Sequence, residues 1–246
     1  MLTSEDEEMQ GIRVRGTHVS RLEGLTDAVI GFAVTLLIVS MEVPRSLDEM
    51  FAMVLGFPAF GITFLLLLAI WYWHYRFFRQ YGLNTKSVIW ANGVLLFVVL
   101  LFVYPLKFLA TIVINHVFLE GWFGIDMPNL LSFRPGQYAP LHALYAVGFA
   151  SVFICFSWLY KIALNAKDEL ELSEIEIFHT RTHMVLFTIV AVVPLLTILV
   201  LFLPTPYAPM YAGFGNMLIW PATWWYGSHA KRQLLALEEK LEPGNA

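Results

Sequence analysis

The chain has 246 residues, 58% of them hydrophobic and only 14% charged, with a formal net charge of −4. A soluble domain carries about a quarter charged residues, and this chain has no basic run to grip phosphates, so a soluble fold and a nucleic-acid partner are both excluded. The apolar residues come in long blocks, which implies an all-α integral membrane protein with room for about six spans.

The N-terminus, MLTSEDEEMQ, is acidic. A signal peptide needs a basic start and then an apolar run, so residues 1–19 are expected to form a soluble tail. The first span is expected at about 22–43. Ser20 and Glu23 stand in capping-box spacing at its start, and Pro44 is expected to stop it. Ala28–Met41 is short for a span, so Asp27 and Glu42 must sit at or inside the two membrane boundaries. The next spans follow from charge-free stretches at about 53–73, 87–106 and 140–160. The stretch 184–228 is too long for one helix and breaks at LPTPYAP, where prolines remove backbone donors, giving spans at about 184–203 and 210–228. Residues 20–229 thus form one six-helix membrane domain, and 230–246 a C-terminal tail. Residues 112–139, with Trp122, Pro128, Pro135 and Gly136, make an outer connection. Residues 163–183 read as a cytoplasmic helix or helical hairpin whose charges form a solvated face.

Lysine and arginine placement sets the orientation. Twelve of the fifteen fall on the side of the N-tail, the loops after spans two and four, and the C-tail. By the positive-inside rule both termini are expected in the cytoplasm, with the protein multi-pass in the cell (inner) membrane. Trp71, Trp73, Trp90 and Trp158 fall at the predicted cytoplasmic ends, where an interfacial belt belongs.

Few residues carry chemistry. Cys155 is the single cysteine and reads as a small buried apolar side chain. His179 and His183 share a helix face but lack a third ligand. No phosphate loop, nucleophile elbow or zinc-protease motif is present, so no enzyme, cofactor or bound metal is expected. Asp27 needs donors if it lies in the membrane. Trp71, Trp73, His74 and Asn92 lie at its predicted depth, and Arg21 could neutralise it from the interface. It is either a packing latch alone or a latch that also holds the first helix on a central axis. Thr35 either bonds back to the carbonyl of Gly31 or faces a pore. Gly31 allows a close helix contact or a kink.

The segment R-x-x-x-L-T-D-A-V-x-G-F-A-V-T-L-L-I-V, Arg21 to Val39, resembles the signature of the endolysosomal potassium channel family, also called transmembrane protein 175. The likeness continues at Trp71 and His74, at Trp90 and Asn92, and at Pro105. Leu25 and Thr26 replace the signature phenylalanine and serine, and Tyr75 stands where a second histidine is usual. The resemblance implies one six-helix unit per subunit, a homotetramer, and a central pore lined by the first helix without a P-loop filter. It implies passive conduction of a permeant monovalent cation, potassium. It also implies that Arg21, Leu25, Thr26 and Asp27 anchor the first helix, with Trp71, His74, Trp90 and Asn92 as the other latch residues. Phe32 takes the position of the family's constriction and Thr35 that of a pore-facing threonine. Phe32, Thr35 and Val39 then lie on one helical stripe, with Gly31 beside them and Glu42 one turn further. Four copies would stack acidic, apolar, hydroxyl and aromatic rings. Two rivals remain: a secondary transporter, for which no repeat is visible, and a non-conducting membrane scaffold or sensor.

Overall fold

The computed structural model describes residues 13–41, 43–115, 121, 124 and 136–241, and among these every regular element is a helix. They are α1 (Arg21–Val39), α2 (Leu47–Tyr81), α3 (Lys86–Val113), α4 (Tyr138–Asn165), α5 (Glu174–Val200), α6 (Ala208–Gly215) and α7 (Ile219–Leu241), with a 3-10 turn at Asn216–Leu218 joining the last two. Helices α1 to α5 are each long and apolar enough to cross a membrane. The sixth expected span falls on α6, the 3-10 turn and the start of α7, so it is not one uninterrupted α-helix.

Local hydrogen bonds set the helix limits. At α1 the capping box forms as expected: the Glu23 amide donates to Ser20 Oγ (3.2 Å) and the Ser20 amide to Glu23 Oε1 (2.8 Å). Its other end differs from expectation. The helix stops at Val39, short of Pro44, where the Ser40 hydroxyl donates to the Leu37 carbonyl (2.6 Å) and Met41 N–H to Ile38 O (3.0 Å). That tightened last turn satisfies orphan carbonyls before the proline is reached. Helix α2 is longer than its apolar stretch. Ser46 caps its start, its hydroxyl accepting from the Glu49 amide (3.1 Å), while the Arg45 amide donates to Glu49 Oε2 (2.6 Å). Gly82, at φ 60°, ends it with its N–H on the Phe78 carbonyl (2.8 Å).

The chain divides into two compact units. The first contains Met1–Val19, Arg76–Leu95 and Gly136–Ala246, and the second Ser20–Tyr75 and Leu96–Pro135. In the second unit, α1 buries Thr26, Ile30, Ala33 and Leu37. Ala59 of α2 packs against Ala110 of α3 and Ile114 just past its end, where small side chains let the backbones approach. In the first unit α4 packs along α5. Phe77, Tyr81 and Tyr160 form a mutual aromatic cluster with ring centroids 5.0–5.8 Å apart. The Tyr81 and Thr180 hydroxyls lie 2.7 Å apart.

The charged run 163–183 is not a separate helix. It is the end of α4, a turn, and the start of α5. Nor is all of it solvated: Glu176 is 2% exposed. Both Arg15 terminal nitrogens reach its carboxylate (2.7 and 2.9 Å), as do the amides of Arg13 and Ser173 (both 2.9 Å). Hydrogen bonding to Glu176 raises the Arg15 guanidinium above its ordinary pKa, against the opposing effect of burial. Arg13 to Gly16, expected within a soluble tail, are therefore docked, while Thr17 to Val19 are exposed. The amides of Arg15 and Gly16 donate to the Arg79 carbonyl, and a side chain at Gly16 would collide with the Phe78 carbonyl oxygen.

Candidate pore helix and its anchors

Helix α1 has two unlike faces. Thr26, Ile30, Ala33 and Leu37 recur at three- and four-residue steps and are buried. Gly31, Phe32, Thr35 and Val39 recur the same way on the other side and are exposed, Phe32 by 59%. A Cβ added at Gly31 would meet nothing within 4 Å in the chain, so no close approach inside the subunit requires this glycine. The Thr35 hydroxyl donates to the Phe32 carbonyl (2.7 Å), not to that of Gly31 as expected. A helical threonine chooses between two rotamers that reach back three or four residues, and here the nearer carbonyl is taken. Glu42 lies outside the described residues, as do Trp122, Pro128 and Pro135.

Two side-chain contacts fix α1 near its ends. Toward the N-terminus, the Trp71 indole of α2 donates to Asp27 Oδ1 (2.7 Å). Trp71 is held in turn by Tyr75, whose ring stacks on it at 5.7 Å and 21°. Tyr75, which departs from the family pattern, thus orients the donor. Of the expected donors, the geometry brings Trp71 onto Asp27. His74 is buried at 1% exposure in the same unit, and Asn92 is fully buried in the other. Arg21 and Leu25 lie on exposed surface of α1, and Trp90 is 73% exposed. At the far end, the Lys107 ammonium of α3 donates to Ser40 Oγ (2.6 Å), the atom that caps the Leu37 carbonyl. Sequence reasoning passed over this pair. The available signal was a lysine inside an apolar helix, which marks function or a partner.

The other candidates resolve differently. His179 and His183 share a face with ring centroids 6.5 Å apart. His183 Nδ1 bonds the His179 carbonyl (2.9 Å) and its ring stacks on Tyr160 at 5.4 Å. Among the described residues no three His, Cys, Asp or Glu side chains are grouped to hold a metal. Cys155 is buried.

Residues 21–102, which begin with α1 and take in α2 and much of α3, match the family described as endosomal/lysosomal potassium channel TMEM175. The chain is also 36% identical over 189 residues to a potassium channel of Marivirga tractuosa, covering 76% of each protein. The chain belongs to the TMEM175 family. Its fold agrees with the crystal structure of a threonine-to-alanine variant of the potassium channel MtTMEM175, solved with a nanobody–MBP fusion. The TM-score is 0.81 and the identity 31%, over 90% of this chain and 97% of that one. Membership in TMEM175 makes this a multi-pass membrane protein of a non-enzymatic channel class. The family match opens at Arg21, the first residue of the two-faced helix.

Proposed function

We propose that this protein is a homotetrameric channel that conducts potassium passively through a pore lined by α1. In this reading six segments cross the cell membrane, the last broken at Asn216–Leu218, and both termini are cytoplasmic. The observation that carries it is the division of α1 into two faces. Its buried face is spent within the subunit, while Gly31, Phe32, Thr35 and Val39 are left for a shared axis. Family membership and the potassium channels among its relatives support the same reading. Phe32 is the constriction, Thr35 a hydroxyl ring beyond it, and Glu42 an acidic ring at the outer mouth that concentrates cations. Asp27, with Trp71, holds the helix in place, and Arg21, Leu25, Thr26 and His74 of the same unit complete its support.

The test is ion flux from liposomes holding purified protein, with potassium and sodium in parallel and only an electrical driving force. The channel reading expects potassium flux above sodium flux. Phe32→Ile should raise it about fivefold for each ~1 kcal/mol removed from the barrier. Flux that requires a second ion's gradient would point to a transporter. Silence in both parent and Phe32→Ile, from tetrameric protein, would refute conduction through α1.

A further inference from the structure

Helix α1 ends without a basic residue of its own in the last turn. Its C-terminal carbonyls carry the negative end of the helix dipole. On the reading above, those carbonyls surround one mouth of the pore. Cations would gather there, as they do at exposed helix C-termini in transporters. The structure places a positive charge at that point. Lys107 comes from α3, inside the apolar run LFVYPLKFLATIV, and its ammonium sits on Ser40 Oγ at 2.6 Å. Ser40 hands the polarisation on, since its own hydroxyl donates to the Leu37 carbonyl. Among the described residues Lys107 makes no ion pair. A lysine in this setting costs several kcal/mol relative to an apolar residue, and one neutral hydroxyl does not account for its presence by packing alone.

We propose that Lys107 sets the electrostatics of the conduction pathway: tethered by Ser40 at the carbonyl end of α1, it offsets the helix dipole and part of the charge of the Glu42 ring, and so moderates the cation density that these gather at that mouth. The inference rests on α1 lining the pore of a tetramer. If four such charges lay roughly 10 Å from the axis, they would lower the local cation concentration about five- to tenfold relative to a neutral residue at ~10 mM salt, and hardly at all at ~1 M.

The experiment is conductance of the purified full-length protein in planar bilayers at low and high potassium chloride. Lys107→Gln should conduct about five- to tenfold better than the parent at ~10 mM and equally at ~1 M. Lys107→Arg keeps the charge and should behave as the parent. Ser40→Ala frees the ammonium to move away and should give a smaller rise at low salt, which provides a second reading if the glutamine variant does not assemble. Equal conductance of Lys107→Gln and parent at ~10 mM would overturn the inference. So would a gain that persists at ~1 M. Phe32→Ile in the same bilayers separates the two claims. If it conducts more while Lys107→Gln does not, α1 still lines the pore and only the role of Lys107 falls. If neither variant changes conductance, both fall.

Discussion

Removing the indole donor from Trp71 should loosen α1 by an amount that the geometry bounds. The Asp27–Trp71 contact is 2.7 Å and joins an N–H to a carboxylate. Such charge-assisted bonds contribute about 1.5–3 kcal/mol when protected. Asp27 is exposed in the subunit, so water competes and the low end applies, about 1–1.5 kcal/mol. Trp71→Phe also trims a ring that stacks on Tyr75, which adds a loss unrelated to the bond. A double-mutant cycle separates the two. Asp27→Ala, Trp71→Phe and the double variant would be compared by thermal unfolding in one detergent at one scan rate. For a chain of this size ~1 kcal/mol moves Tm by roughly 2–4 °C. The double variant should be about 1 kcal/mol more stable than the sum of the single losses predicts, because the bond is lost only once. Additivity within about 0.3–0.5 kcal/mol would show that the two groups do not act as a pair.

Two further variants probe the other unit. Glu176→Gln removes the charge that receives Arg15 and two backbone amides, leaving Arg15 without its anion; a loss of about 3 kcal/mol is expected, read as a Tm drop of roughly 6–12 °C. Gly215→Ala brings a Cβ within 2.8 Å of Thr197 Cγ2 and should cost about 1–2 kcal/mol by overpacking. Adding Thr197→Ser removes that methyl while keeping the hydroxyl that meets His142, so the double variant should regain most of the lost Tm.

Much of α1 was legible because its signals are local. A serine three residues before a glutamate specifies a capping box, and a carboxylate beside an apolar run demands a donor. Which donor was not legible. WYWHY places five ring-bearing residues around a helix at about 100° steps, and only the packed structure shows that Trp71 faces Asp27. Helix ends were missed for another reason. Counting charge-free residues measures how much chain fits in lipid, whereas helices end where their hydrogen bonds are capped, as at Ser46 and Gly82. Glu176 stands among look-alike acidic neighbours, and its ligand Arg15 is 161 residues away in sequence. No pattern within the run distinguishes it. Lys107 was visible as a charge, but its target is the cap of a helix 67 residues earlier.

The 35 residues of α2 also bear on how the protein resists denaturation. At ~1.5 Å per residue the helix is about 52 Å long, against ~30 Å of hydrocarbon. Even strongly tilted, it projects into water, and Arg76 and Arg79 mark the projecting end. Phe77, Phe78 and Tyr81 are nonetheless buried there at 1% exposure or less. Their burial is driven by escape from water, a force absent between helices already surrounded by lipid tails. One chain is thus stabilised by two solvents under different rules. Chilling and urea weaken the aromatic knot at the end of α2, while Ala59, Ala110 and Ile114, packed within the bilayer, answer instead to the thickness and composition of the membrane around them.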